Sequence, residues 1–199
     1  MEYGEQMKVL FATNNKDKLT QAKTYFGENN VVGQKEYGIE MDVEENGKTF
    51  EENAIIKAKA IGEITNEIVI ADDSGLEISE YTGWPGVYTH RFLGENSTTK
   101  ERNDYILEKM KDLPYDKRKC TVKCVIALYY NGDIKTFTGE YHSHILKEKV
   151  GDNNFGFDEI VEVANGKSFA SLTNEEKLKI NARGLALKQA SEYLKSLQK

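Results

Sequence analysis

The sequence predicts an α/β fold in which a mixed β-sheet is flanked by helices. Strand and helix patterns alternate in the first half of the chain, an order typical of parallel strands joined by helices. In the second half, Asn131-Gly132 lies between two apolar runs and predicts a β-hairpin, whose strands are antiparallel. At 199 residues, 39% of them hydrophobic, the chain has room for one domain, or for one domain with two lobes around a cleft.

The predicted strands are short runs rich in apolar residues. One of them leads directly into Asp72-Asp73-Ser74-Gly75, where the glycine predicts a turn. The strands are predicted at residues 8–13, 68–71, 120–130, 134–141, 144–150 and 159–163.

Three of the predicted helices begin at a capping box, in which a Thr hydroxyl and a Glu carboxylate each accept the other's backbone N–H. The pattern occurs at residues 49–52, 98–101 and 173–176. The last box predicts one helix that carries apolar residues from Leu178 to Leu197. The helix after the first strand is predicted from Leu19, Ala22 and Phe26.

Composition and charge exclude several classes of function. The formal net charge is −6 and the basic residues are scattered, whereas a nucleic-acid binder carries a basic face. The apolar stretch at residues 125–130 is too short to span a membrane, and the amino-terminal segment lacks the apolar run of a signal peptide. We therefore expect a cytoplasmic protein without nucleic-acid or membrane partners, in which residues 1–6 are a disordered lead-in.

The loop after the first strand has a pattern that suits phosphate binding. The start of a helix presents free N–H groups and a partial positive charge, which attract anions. Side-chain donors from Thr13 and Asn15 and the charge of Lys18 would add to this site. An ordinary N-capping loop has the same pattern, so both interpretations stay open. The candidate residues are Thr13, Asn14, Asn15, Lys16, Asp17 and Lys18.

Two adjacent acidic residues form a candidate metal site. Asp72 and Asp73 are adjacent at the end of an apolar strand, where their mutual repulsion would be removed by a divalent cation. Mg²⁺ prefers oxygen ligands and takes one or two carboxylates together with substrate phosphates. A solvated turn is the alternative for this pair. The acidic run at residues 42–47 and Lys57, on the following helix, have patterns typical of solvent-exposed positions.

The segment at residues 155–158 is a candidate base pocket, because two aromatic rings flanking a glycine could sandwich a base and a carboxylate could bind its edge. Packing of both rings into the core is the alternative. Cys120 and Cys124 lie at i and i+4 of a predicted strand without evident partners, which favours buried core positions. His142 and His144 lack a third metal ligand, which favours surface or interface positions.

Six segments occur together in an order that is highly specific. They read ATNNKDK (12–18), TFEENAIIKAKA (49–60), ADDSGLEI (71–78), GWPGVYTHRF (83–92), FGFDEIVEV (155–163) and LTNEEKLKINARGLAL (172–187). In these segments the chain resembles the inosine triphosphate pyrophosphatase family, enzymes that cleave deaminated purine nucleotides such as ITP, dITP and XTP to the monophosphate and pyrophosphate. The resemblance covers nearly the whole chain.

The resemblance implies an elongated mixed sheet with a cleft between two lobes, a homodimer, and Mg²⁺ as cofactor, with Mn²⁺ as an alternative. Residues 13–18 would hold the triphosphate. Glu45 and Asp72 would ligate the metal, with Glu44 as the alternative to Glu45. Asp73 would be the general base and an additional metal ligand.

The resemblance also implies roles for two lysines and a base pocket. Lys18 and Lys57 would stabilise the charge of the departing pyrophosphate. The remaining substrate contacts would come from Ser74, Phe155, Gly156, Phe157, Asp158, Lys177, Ala182 and Arg183.

The chain departs from the family pattern at residues 181–184, where Asn-Ala-Arg-Gly replaces the usual Ser-His-Arg-Gly. Ala182 has no side-chain donor, so one contact to the base is missing. Its loss would weaken discrimination between nucleotide bases by roughly 1–3 kcal/mol. Two alternatives to an ITP/XTP enzyme follow: a pyrophosphatase of relaxed or shifted specificity, and a nucleotide-binding protein that has lost catalysis. The retained Asp73 and Lys18 argue against the second.

Overall fold

The computed structural model describes residues 8–152 and 155–197. The lead-in predicted at residues 1–6 lies outside the described residues. The chain divides into two compact units. The first comprises the chain up to Asp73, Cys124–Gly139 and the chain from Arg183 onward, and the second comprises Ser74–Lys123 and Glu140–Ala182.

The main sheet is mixed, as predicted. β1 pairs in parallel with both β2 and β3, whereas β4 pairs with β3 in the antiparallel sense. The spatial order is β2-β1-β3-β5-β6, with β4 paired to β3 outside this path. The strands of this sheet are β1 (Val9–Phe11), β2 (Val31–Gly33), β3 (Ile68–Ile78), β4 (Trp84–Pro85), β5 (Lys119–Tyr130) and β6 (Asp133–His144). A separate antiparallel pair is formed by β7 (Glu162–Ala164) and β8 (Lys167–Ser168).

The α-helices carry apolar stripes that pack inward. On α2, the predicted stripe of Phe50, Ala54, Ala58 and Ile61 is buried, with each residue 4% exposed or less. Neither α2 nor any other helix among the described residues has the length and apolarity needed to cross a membrane. The helices are α1 (Lys16–Phe26), α2 (Phe50–Thr65), α3 (Thr99–Lys109), α4 (Asn174–Ile180) and α5 (Ala182–Ser196).

The hairpin and two of the capping boxes form as predicted. Asn131 and Gly132 both have positive φ, 52° and 87°, as a type I′ turn requires. The boxes at residues 98–101 and 173–176 show both reciprocal hydrogen bonds. At the start of α2 the prediction was half right. The Thr49 hydroxyl accepts from the Glu52 N–H, but the Glu52 carboxylate accepts from the N–H of Lys48, one residue earlier.

One predicted turn and one predicted strand do not form. The predicted turn at Gly75 does not occur, because β3 continues to Ile78 and buries Leu76 and Ile78 completely in the core of the second unit. The strand predicted at residues 144–150 ends with β6 at His144, and beyond it only Ile145 forms an isolated bridge.

The carboxyl-terminal helix was also predicted incorrectly as one element. Asn181 adopts an extended conformation, with φ −73° and ψ 157°, and separates α4 from α5. This break places Arg183 in the first turn of a new helix, where its guanidinium contacts Asp72 of β3.

Candidate active site

A polar cavity of about 200 Å³ lies in the first unit. It brings together the end of β1, the start of α1, the acidic segment before α2, and β3. Its lining combines two lysines with three carboxylates, a composition suited to a highly charged ligand and its counter-ions. The lining residues are Ala12, Thr13, Asn14, Lys18, Gln34, Asp42, Val43, Glu45, Lys57 and Asp72.

The loop between β1 and α1 is both a cap and part of the cavity wall. Asn15 caps α1, because its side-chain oxygen accepts the N–H groups of Asp17 at 2.9 Å and Lys18 at 3.2 Å. Thr13 and Lys18 line the cavity, whereas Lys16 and Asp17 are exposed and do not. The capping interpretation is therefore correct for Asn15, and it leaves the phosphate interpretation open for the residues that face the cavity.

Asp72 is the most buried carboxylate of the site, with its side chain 2% exposed. Lys18 Nζ lies 3.0 Å from its Oδ2, and the Arg183 guanidinium donates two hydrogen bonds of 3.2 Å to the same oxygen. Burial by itself raises the pKa of Asp72, but the neighbouring cations, Lys18 and Arg183 first among them, hold that pKa well below its usual value. Asp72 is thus an anion in the folded protein at neutral pH.

The pKa of the adjacent residue, Asp73, is shifted in the opposite direction. It is 8% exposed, and its Oδ2 accepts a hydrogen bond of 2.9 Å from Asn53 Nδ2. Burial raises its pKa to about 6, against the opposing effects of Lys57 and of the hydrogen bond from Asn53. A carboxylate with this pKa is a suitable proton acceptor near neutral pH.

Glu45 and Lys57 form the third charged contact of the cavity. Lys57 Nζ lies 2.8 Å from Glu45 Oε1, and both side chains line the cavity. Burial lowers the pKa of Lys57, but the charges of Asp72 and Glu45 outweigh burial and raise it. Of the two glutamates considered as metal ligands, Glu45 lines the cavity, whereas Glu44 is exposed and does not.

Two polar residues at this site were missed in the sequence. Asn53 is 1% exposed and contacts Asp73, and Gln34 is 6% exposed and donates to the carbonyl of Met41. A signal for Asn53 was present, because it lies three residues after Phe50 on the apolar stripe of α2. For Gln34 we find no sequence signal.

The donor set suits a hard cation such as Mg²⁺, because Glu45, Asp72 and Asp73 offer only oxygen atoms. Among residues 8–152 and 155–197, no three His, Cys, Asp or Glu side chains converge on a common metal position. Instead, each carboxylate already has a cation or an amide as partner. Glu45, Asp72 and Asp73 are the residues that could hold such a cation.

The remaining predicted substrate residues are mostly in the second unit. Lys177, only 9% exposed, forms an ion pair of 2.9 Å with Asp158. Gly156 has φ +54°, and its carbonyl accepts a hydrogen bond of 3.1 Å from the buried Asn103. Phe157 packs against the core of this unit, as the alternative interpretation of the aromatic segment expected.

The other predicted residues of this group lie as follows. Phe155 is half-buried. Ser74 is half-buried on β3, and Ala182 begins α5 and is 2% exposed. Arg183, expected at the base, has its guanidinium on Asp72.

None of the residues that line the cavity is a cysteine or a histidine. Cys120 and Cys124 are buried free thiols, and burial raises the pKa of each to about 12, which agrees with core positions. His142 contacts Thr121 and Glu140, and the ring of His144 stacks on Tyr115 with centroids 4.2 Å apart.

Comparison with known proteins shows matches over almost the whole chain. The sequence model of the Ham1 family matches residues 9–193. The dITP/XTP pyrophosphatase of Thermoanaerobacter sp. (strain X514) is 42% identical over 191 residues, which cover 94% of this chain and 96% of that protein. The one from Bacillus subtilis (strain 168) is 36% identical over 192 residues, covering 94% and 97%. The structure of the Staphylococcus aureus Ham1 protein superposes with a TM-score of 0.86 at 36% identity, covering 95% and 98%.

Proposed function

The chain belongs to the Ham1 family, and we propose that it is a nucleoside triphosphate pyrophosphatase. Its substrates would be deaminated purine nucleotides, such as dITP, ITP and XTP, which it would hydrolyse to the monophosphate and pyrophosphate. Relatives about 40% identical over nearly the full chain are named dITP/XTP pyrophosphatases. The observation that carries the proposal is the cavity in which Lys18, Lys57 and the carboxylate of Asp72 meet.

The residues that line the cavity, together with Asp73, which follows Asp72 and does not itself line it, have the chemistry that this reaction needs. Asp73, with its pKa raised to about 6, would accept the proton of a water molecule that attacks the α-phosphorus. Lys18 and Lys57 would contact the triphosphate and stabilise the negative charge that develops on pyrophosphate as it leaves. Glu45, Asp72 and Asp73 would hold Mg²⁺, or Mn²⁺, which when bound neutralises part of the triphosphate charge.

Specificity for the base would depend on the residues that the resemblance assigns to base binding. The segment Phe155, Gly156, Phe157 and Asp158, with Lys177, would form the base pocket. Ala182 offers only a methyl group, and this observation favours a second candidate, a pyrophosphatase with relaxed or shifted base specificity. A protein that binds nucleotides without cleaving them is a third candidate, which a turnover assay separates from the other two. A homodimer, suggested by the resemblance, and a cytoplasmic location, expected from the sequence, complete the proposal.

The test is release of pyrophosphate, scored separately from orthophosphate, from ITP, XTP, dITP, ATP, GTP and dTTP with and without Mg²⁺. We expect Mg²⁺-dependent pyrophosphate from ITP, dITP and XTP well above that from ATP and GTP. Equal release from all six would establish the relaxed enzyme, and binding without release would establish the inactive one. Light scattering after size-exclusion chromatography tests the dimer.

Two further measurements test the proposed chemistry. In ¹⁸O-labelled water, attack on the α-phosphorus places the label in the monophosphate, whereas attack on the β-phosphorus places it in pyrophosphate. Asp73→Asn should lower kcat by about 10²–10⁴-fold, the usual contribution of a general base. Asp116→Asn, at an exposed position, is the matched control. Unchanged turnover in Asp73→Asn would remove Asp73 from the mechanism.

A further inference from the structure

Asn53 connects two parts of the candidate site through a single amide group. It lies in the first turn of α2 and is 1% exposed. Its Nδ2 donates a hydrogen bond of 2.9 Å to Asp73 Oδ2, and its Oδ1 accepts one of 2.8 Å from the backbone N–H of Gly47. Gly47 closes the acidic segment at residues 42–47, which carries Glu45.

The two partners fix the direction in which the amide points. A backbone N–H can only donate, so the group facing Gly47 must be the Asn53 oxygen. The amino group must then face Asp73, and it can only donate as well. The Asp73 oxygen on that side is therefore held as an acceptor, and the Asn53 side chain remains neutral throughout.

The segment that carries Glu45 fits closely against this amide. A Cβ added at Gly47 would lie 2.7 Å from Asn53 Oδ1 and 2.7 Å from Glu52 Cβ, which is too close for a side chain. The Glu52 carboxylate also accepts the N–H of Lys48. Two neighbouring residues of α2 thus anchor the end of this segment through consecutive backbone N–H groups.

We infer that Asn53 is a positioning residue for the reaction: it holds the Asp73 carboxylate in one orientation and ties it to the segment that carries Glu45. This inference rests on the proposed function, in which Asp73 accepts the proton of water. Asn53 itself would touch neither the nucleotide nor the attacking water. Its main effect would be on the alignment of Asp73, so that it would change turnover more than binding of the substrate.

The inference is tested by steady-state kinetics of pyrophosphate release with saturating Mg²⁺. We expect Asn53→Ala to lower kcat by about 10–100-fold while KM changes less than about threefold, because misalignment by an ångström has effects of that size. Asn53→Asp keeps the acceptor for Gly47 but places a carboxylate against Asp73, and it should lose at least as much kcat. Gly47→Ala should act in the same direction by displacing the amide. Asn174→Ala, the same substitution at an exposed position, should retain wild-type kcat.

Circular dichroism and thermal unfolding establish that each variant is folded at the assay temperature. A purely structural Asn53 predicts that folded Asn53→Asp retains wild-type kcat, and that result would overturn the inference. A rise in KM with unchanged kcat in Asn53→Ala would also overturn it. If the wild-type protein itself releases no pyrophosphate, the proposed function fails instead, so the two failures are distinguishable.

Discussion

Lys18 and Asp72 form an ion pair in which the two partners differ in exposure. Lys18 Nζ lies 3.0 Å from Asp72 Oδ2 and donates to Oδ1 at 3.1 Å. The Asp72 side chain is 2% exposed, whereas that of Lys18 is 21% exposed. Arg183 contacts the same carboxylate, so the buried anion keeps a second cation when Lys18 is removed.

We therefore predict a moderate loss of stability for Lys18→Met, which keeps the length of the side chain and removes its charge. The free energy of unfolding of the metal-free protein at pH 7 should fall by about 1–3 kcal/mol, the range for a hydrogen bond to a charged group. Lys23→Met is the matched control on the same helix, because it breaks a surface ion pair with Glu28. The control should lose about 0–1 kcal/mol. Equal losses in urea unfolding would contradict the prediction.

The opposite pKa shifts of Asp73 and Asp72 predict opposite effects of the same substitution. The pKa of Asp73 is raised from 3.8 to about 6 by burial, so its contribution to stability is present below about pH 3.8 and is lost as the pH rises through 6. Asp73→Asn replaces the carboxyl group whose ionisation lowers the stability above about pH 6. In EDTA at pH 7.5 it should be more stable than the wild type by about 2–3 kcal/mol, since one pKa unit corresponds to about 1.4 kcal/mol.

Asp72→Asn is the control for this experiment. The pKa of Asp72 is lowered, so its carboxylate contributes stability above pH 3.8 that is lost on acidification. Asp72→Asn should therefore be less stable than the wild type at pH 7.5. In urea unfolding at pH 4.5 the Asp73→Asn difference should shrink, whereas the Asp72→Asn difference should persist, because that pH is still above 3.8. A destabilised Asp73→Asn at pH 7.5 would show that burial does not dominate at this residue.

The parts of the fold that could be predicted from the sequence are those determined by local contacts. Asn131-Gly132 requires only its own positive φ values, and the box at residues 173–176 requires only its own hydrogen bonds. β2, with three residues, has no such local signal and is defined by its pairing with β1. Likewise, β3 continues through Gly75 because Leu76 and Ile78 find a core in the second unit, which no local pattern reports.

The same distinction applies to the candidate site. The adjacent carboxylates Asp72 and Asp73 were visible as an unusual pair at the end of an apolar run. Their opposite pKa shifts were not, because they depend on Lys18 and Arg183 for one and on burial for the other. The position of Asn53 on the apolar stripe of α2 was visible, but its two partners were not, because they are 6 and 20 residues away in the sequence.

The buried cysteines predict that the native protein resists thiol reagents. Burial raises the pKa of Cys120 and Cys124 to about 12, so almost no reactive thiolate forms at pH 8. Native protein should react with DTNB at both positions only as fast as it unfolds, and both thiols should react at once in denaturant. Thr20→Cys, at an exposed position on α1, should add one thiol that reacts rapidly. Rapid native labelling of the wild-type protein would contradict the burial of these thiols.

Lys177 and Lys179 lie on the same short helix and differ sharply in their surroundings. Lys177 pairs with Asp158 in a contact whose side chains are 11% and 18% exposed, whereas Lys179 pairs with Glu175 at the surface. Lys177→Met removes a buried ion pair in the predicted base pocket. It should therefore destabilise the protein by about 1–3 kcal/mol and raise KM for ITP and XTP roughly tenfold. Lys179→Met should leave both quantities unchanged. Urea unfolding and steady-state kinetics measure the two effects separately, and a loss of stability with unchanged KM would assign the pair to the fold and remove it from base recognition.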